Sequence, residues 1–335
     1  MRSKPTIRVL AGDIGGTKTR LAIFDVDGER LHAVAEETFR SQEHASLQAI
    51  IQTFLMSRDA SVDAACFGIA GPVRNQVVDA TNLPWRVNAR ELEQRFPIGP
   101  VSLINDLEAN AWGIPALDED DIFELHAGEP DARGNAAIIA AGTGLGEAGM
   151  YFDGERFHPF ATEGGHADFS PGREREIELL RFLSEQYHHV SWERVLAGPG
   201  LVNIHRFLRQ LRGVETPSWL ATRMREGDPA AAISIAAQTD KDDICKESLE
   251  MFVRLYGSEA GNLALKHMAT GGLYIGGGIA PKILDWLKKD DFLRAFFSKG
   301  RMRPLLERIP VRVLLNDRTA LYGPALYAAS AFTNN

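Results

Sequence analysis

Cysteine is nearly absent: two occur in 335 residues, Cys66 inside an apolar run and Cys245 on an expected helix. They lie far apart in the chain and in no metal-like spacing. That argues against a disulfide framework or a cysteine zinc site and for two reduced, buried thiols of the cytosolic kind. The nine histidines offer no zinc-like set either; His188 and His189 are adjacent, so they point apart and read as surface residues. Positive charge is in deficit, with 37 Lys and Arg against 45 Asp and Glu and a net charge of −8. Such a chain has no excess cations to neutralise phosphates, which argues against a nucleic-acid surface. Long hydrophobic runs are missing as well, and no segment approaches the length of a membrane span. After the basic start Met1–Pro5 the apolar run is too short for a signal peptide and is interrupted by Gly12 and Asp13. These absences predict a cytoplasmic protein with neither nucleic acid nor membrane among its partners.

What remains is an ordinary globular composition, 44% hydrophobic and 24% charged, in a chain long enough for two domains. Its punctuation is glycine at the ends of apolar runs. Val9-Leu10-Ala11 runs into Gly12-Asp13-Ile14-Gly15-Gly16-Thr17 and resumes as Leu21-Ala22-Ile23-Phe24, which reads as strand, turn, strand. Gly15 and Gly16 leave no Cβ to hold a ligand off, so their N–H groups and the Thr17 hydroxyl can face an anion. Asp13 beside that anion suits a Mg²⁺-facing carboxylate; the alternative is a plain hairpin with an Asp/Gly turn.

The same device returns later. Ala136 to Ala141 is an apolar strand that delivers Gly142-Thr143-Gly144-Leu145-Gly146. Glycines 144, 146 and 149 satisfy the dinucleotide fingerprint, but that motif needs a helix next, and Ala148 to Phe152 with Asp153-Gly154 reads as strand and hairpin turn. Leu273-Tyr274-Ile275 feeds Gly276-Gly277-Gly278, with Lys282 to Phe297 read as the helix that follows. Between these loops, Val101 to Ile104 is a strand with Asn105 and Asp106 at its carboxyl end, where ligands collect in open α/β sheets. Asn and Asp there also suit a helix N-cap. Glu163-Gly164-Gly165-His166-Ala167-Asp168-Phe169 packs titratable groups around two glycines, and Ser170-Pro171 is read as a helix start, with Ile177, Leu180, Leu183 and Tyr187 as its apolar positions. Leu201, Ile204, Leu208 and Leu211 are read as the apolar face of the helix after Gly198-Pro199-Gly200. Asn88 with Glu91 resembles a capping box.

The three glycine loops in this order resemble the phosphate and adenosine loops of the actin-like ATPase superfamily, which includes hexokinases. Ile104-Asn105-Asp106, the Glu163 to Phe169 segment and Glu193-Arg194-Val195-Leu196-Ala197-Gly198-Pro199-Gly200-Leu201-Val202-Asn203 resemble bacterial glucokinases, from about Leu10 to the final helix. The related ROK kinases usually carry a cysteine-rich zinc motif that two distant cysteines cannot build. The resemblance implies an α/β, two-domain actin-like ATPase (ribonuclease H-like) fold with an interdomain cleft. A small domain, 1–110 completed by 318–335, and a large domain, 111–317, would form it. It implies ATP-dependent phosphorylation of glucose at the 6-hydroxyl, the alternatives being another hexose (mannose, glucosamine or an N-acetylated sugar) or a non-catalytic sugar sensor. Asn105, Asp106, Glu163, His166 and Glu193 would line the glucose site, with Asp106 as the base. Gly12, Asp13, Ile14, Gly15, Gly16, Thr17, Gly142, Thr143, Gly144, Gly276, Gly277 and Gly278 would hold ATP, Asp13 would hold Mg²⁺, directly or through water, and relatives suggest a homodimer.

Overall fold

Ile7–Ile14 (β1) buries alternate residues on opposite faces: Val9 and Ala11 look one way with Asp13, Leu10 and Ile14 the other. In the computed structural model, residues 6–56, 58 and 61–333 are described, so Met1–Pro5 lies outside them. The chain divides into two compact units, Met1–Asp121 with His158–Ala161 and Asn316–Asn335, and Ile122–Phe157 with Thr162–Leu315.

In the first unit β1 pairs antiparallel with Lys18–Asp27 (β2), and β2 with Arg30–Arg40 (β3). Helix Leu47–Met56 (α1) follows, started by Ser46, whose hydroxyl accepts the Ala49 N–H at 3.3 Å. Ala64–Ile69 (β4) is buried at every position because it runs parallel to β1 with side chains packed on both faces. A small ribbon, Val77–Asp79 (β5) with Arg86–Asn88 (β6), leads to Ala89–Arg95 (α2). Asn88 caps that helix through the Arg90 N–H at 3.0 Å, while Glu91 meets the Asn88 side chain at 3.3 Å instead of completing a capping box with its backbone. Val101–Asn105 (β7) joins β4, giving the order β3-β2-β1-β4-β7. Asp106–Gly113 (α3) and the C-terminal helix Thr319–Thr333 cover the Val9 and Ala11 face; α1 and α2 cover the other.

The second sheet repeats the plan. Ile122–His126 (β8) is followed by Ala136–Ala141 (β9), Leu145–Phe152 (β10) and Phe157–Thr162 (β11), then, after the helices, by Gly272–Gly276 (β12) and Val311–Leu314 (β13). Their order is β11-β10-β9-β12-β13-β8, so the β9/β10 hairpin stands where β1/β2 stands in the first sheet. Between β11 and β12 come Glu174–Ser184 (α4), Gly198–Arg212 (α5), Ser218–Glu226 (α6), Pro229–Gln238 (α7) and the long Asp243–His267 (α8). Gly257 and Gly261 let α8 lie against the carbonyls of Phe292 and Phe296 in Asp290–Phe297, as close packing requires.

Three expected helices differ from the sequence reading. The helix read from Ser170-Pro171 starts at Glu174, because Glu176 folds back to accept the Gly172 N–H at 2.7 Å and the chain before it is extended; its buried residues are Glu176, Leu179 and Leu183, and Tyr187 lies past its end. Lys282 to Phe297 is three pieces, a 3-10 turn Ala280–Ile283, a single turn Leu284–Leu287 and then Asp290–Phe297, parted at Lys288-Lys289. Leu211 faces solvent and Phe207 takes its place in the core. No helix among the described residues is long and apolar enough to cross a membrane.

Candidate active site

In the first unit, β1 ends at Ile14 and β2 begins at Lys18, so Gly15, Gly16 and Thr17 are the whole turn. The Gly15 N–H donates to the Lys18 carbonyl at 3.0 Å. That donor is spent closing the hairpin, contrary to the expectation that both glycine N–H groups face an anion; a turn this short must satisfy its own first donor. Ser41 braces it from behind. Its hydroxyl donates to the Gly15 carbonyl at 2.7 Å, its N–H donates to the Thr17 carbonyl at 3.0 Å, and the Thr19 hydroxyl is 3.0 Å away. Gly16 backs onto Asn82, Thr17 is exposed, and Gly12 and Ile14 are buried, Gly12 directly under the Phe67 ring. Gly12 and Ile14 therefore shape the hairpin and bring no side chain to a ligand.

Asp13 is half-buried, with Arg20 as its register partner across the hairpin. Arg20 in turn donates to the Asp317 carboxylate at 2.6 Å and to its carbonyl at 3.0 Å. Burial pushes the Asp13 carboxyl up to about 6; Arg20 pulls it down, and the charges of Asp106 and Asp317 add to the rise. The Arg20 hydrogen bond holds Asp317 below the ordinary carboxylate range despite its own desolvation.

Asn105 and Asp106 stand at the carboxyl end of β7 and open α3, as the sequence placed them. Asn105 is the N-cap: its Oδ1 accepts the N–H groups of Leu107 at 2.9 Å and Glu108 at 3.4 Å, and its Nδ2 donates to the Gly71 carbonyl at 3.3 Å. Most of that buried amide is thus committed to the protein. Asp106 is half-buried in the first turn, its Oδ1 accepting the Leu107 N–H at 3.0 Å.

In the second unit, Gly164–His166 is a single 3-10 turn, with His166 Nε2 3.9 Å from Glu163 Oε2 and both side chains more than half exposed. Phe169 N–H donates to the Val190 carbonyl at 2.9 Å and Trp192 N–H to the Ala167 carbonyl at 3.0 Å, while the Phe169 and Trp192 rings meet edge-to-face at 5.0 Å. This stitching carries in Glu193, whose Oε2 accepts the Leu145 N–H at 3.0 Å and stands directly against Gly144. Gly144 and Glu193, read from the sequence as nucleotide and sugar residues, are neighbours.

Thr143 is exposed at the tip of its loop, which closes through Gly142 N–H to the Gly144 carbonyl at 2.8 Å; the Gly142 carbonyl accepts the Gly198 N–H at 2.8 Å. Gly276 ends β12, and Gly277 takes φ +81° where a Cβ would overlap the Ala141 carbonyl. Gly278 has open space around it, and the segment beyond is a 3-10 turn, not the α-helix N-terminus expected. Tyr256, which the sequence reading missed on an apolar helix face, clamps both loops. Its buried hydroxyl accepts the Ala141 N–H at 3.2 Å and lies 3.4 Å from the carbonyls of Ile139 and Gly276. Tyr256→Phe strands that buried N–H, and is expected to cost about 1–3 kcal/mol of stability in a denaturant titration; an unchanged midpoint would show the clamp to be idle.

One grouping of a histidine and a cysteine is not visible in the sequence spacing. The fold brings His205, Asp242 and Cys245 within 4.8 Å of one another. A guanidinium already fills it, Arg209 donating to Asp242 at 2.6 Å and to His205 Nε2 at 3.1 Å. The cluster is a buried ion pair between α5 and the start of α8.

Two sheets built alike, each holding a glycine hairpin, make this the actin-like ATPase (ribonuclease H-like) fold that sugar kinases share. The Glucokinase family model matches residues 10–331. A glucokinase of Trichormus variabilis is 43% identical over 337 residues, which cover 96% of this chain and 98% of that one. The crystal structure of a glucokinase from an Antarctic psychrotroph matches with a TM-score of 0.85 at 31% identity, covering 97% of this chain and 100% of that one. A ROK family glucokinase from Streptomyces griseus, in complex with glucose and AMPPNP, shares the fold at a TM-score of 0.65 and 22% identity, covering 96% and 99%. The chain belongs to the glucokinase family.

Proposed function

We propose that this enzyme transfers the γ-phosphoryl group of ATP to the 6-hydroxyl of glucose, with Asp106 as the base. The observation that carries the reading is the pair of strand-end carboxylates, Asp106 opening α3 and Asp13 one residue before the end of β1, close enough for the charge of one to raise the pKa of the other. In the reaction the Asp106 carboxylate takes the hydroxyl proton, O6 forms the new bond to phosphorus, and ADP leaves with the electron pair of the bond that breaks. Glu163, His166 and Glu193, with what remains of the Asn105 amide, match sugar hydroxyls that both donate and accept. Thr17, Gly16, Gly142 to Gly144 and Gly276 to Gly278 steady the nucleotide.

The residues fit Mg²⁺. Around Asp13 the charges of Asp106 and Asp317 oppose that of Arg20, and with its carboxyl at about 6 Asp13 is ionised at neutral pH. Asp13 would hold the ion, which supplies charge neutralisation at the phosphates when bound. The family resemblance extends the reading to a cytoplasmic homodimer serving glycolysis. A coupled assay of ADP release tests the reaction: release should depend on glucose. Release without glucose would indicate an ATPase, and no release with glucose bound would indicate a sensor.

A further inference from the structure

The reaction leaves the buried acid Glu147 unused. Glu147 lies on β10, 1% exposed; no N–H group reaches its Oε1, and its carboxyl shares a side-chain hydrogen bond with Glu259. Its Oε2 fills the space beneath Gly164, where a Cβ would overlap it, so this carboxyl is the floor of the turn that carries Glu163 and His166. Thr162 ties the two together, its hydroxyl donating to the Glu147 carbonyl at 2.9 Å and accepting the Gly164 N–H at 3.3 Å.

The surroundings of Glu147 are unfavourable to a charge. From α8, Glu259 faces it, fully buried, with Asn262 donating to Glu259 at 2.7 Å and Lys266 at 3.2 Å. Lys299 reaches the same cluster through Asn262 at 2.6 Å, and Tyr256 is close enough to feel the Glu147 charge. On β9 its register partner is the apolar Ile139, and from the turn the titratable groups are Glu163 and His166. Burial and the Glu259 charge outweigh Lys266 and push the Glu147 carboxyl up to about 8, so it keeps its proton at neutral pH.

We infer that Glu147 is a positioning residue for the sugar turn: as a neutral acid it supports Gly164 and so sets Glu163 and His166 for glucose, and its ionisation displaces the turn. A carboxylate there has no donor for Oε1 and faces a second carboxylate, so it must admit water or move. Strands and α8 bound it on the other sides; the exposed turn, with no side chain at Gly164, is the side that yields.

This inference rests on the glucose-kinase reading, and the experiment separates the two. Steady-state kinetics from about pH 7 to about pH 9.5 should show the KM for glucose rising in the unaltered enzyme, towards about tenfold per pH unit once the carboxyl is ionised, with the KM for ATP nearly level. Glu147→Gln, which copies the neutral acid, should hold the glucose KM low and flat across that range, and Glu147→Ala should raise it at every pH. Parallel profiles for the unaltered enzyme and Glu147→Gln would overturn the inference while leaving the reaction standing. If neither Glu147 variant folds, Glu259→Gln decides: a neutral neighbour eases ionisation and must move the alkaline rise to lower pH, and an unmoved rise overturns the proposal. Absence of glucose-dependent ADP release at neutral pH would instead remove the reading beneath it.

Discussion

Asp106→Ala is expected to fold, to bind glucose measurably and to lose about 10²- to 10⁴-fold in kcat. The loss falls on turnover because little covalent work is left to the protein in phosphoryl transfer, so a missing base affects the transition state more than the bound sugar. Folding survives because Asn105, not Asp106, caps α3, and the Asn105 bonds to Leu107, Glu108 and Gly71 do not depend on its neighbour. The helix gives up one acidic first-turn residue, about 0.3–1 kcal/mol. Removing the Asp106 charge also relieves Asp13, whose carboxyl should move back towards the ordinary range. Steady-state kinetics paired with calorimetric glucose titration checks both halves, and turnover like that of the unaltered enzyme would refute the assignment of the base.

The hairpins at Asp13 and Gly142, the strand-end position of Asp106 and the rejection of a dinucleotide site were all legible, because each depends on local alternation and on where an apolar run stops. What escaped depends on distance in the chain. Arg20 and Asp317 are 297 residues apart and their bond exists only once the C-terminal helix has packed. Tyr256 sits in an apolar stripe where nothing distinguishes a clamp from core, and Glu147 reads as an ordinary strand residue until Gly164 lands on it. The helix start misplaced at Ser170-Pro171 has a similar cause, since the Glu176 side chain, invisible to periodicity, competes for the backbone.

Gly164 and Gly165 carry the clearest case of packing that serves the site. Gly165 is buried with the Leu145 carbonyl against the place its Cβ would take, so Gly165→Ala must push on the backbone of β10. Leu145 cannot give way alone, because its N–H is held by Glu193 at 3.0 Å; displacing the strand disturbs Glu193 and the Glu163 to His166 turn together. Overpacking of this kind costs about 1–3 kcal/mol, and if a comparable amount is lost from sugar binding, the glucose KM rises by about tenfold or more, at 1.4 kcal/mol per tenfold. Gly142→Ala is the contrast. Nothing lies within 4 Å of the Cβ it would gain, so its stability should change by no more than about 0.5 kcal/mol and its glucose KM should hold, leaving any effect to the ATP KM. Thermal melts and substrate titrations of the two variants should therefore diverge, Gly165→Ala losing stability and glucose affinity together. A Gly165→Ala protein with the melting point and glucose KM of the unaltered enzyme would mean that β10 does not press on the turn, and would remove the physical ground for the glycine pair between Glu163 and His166.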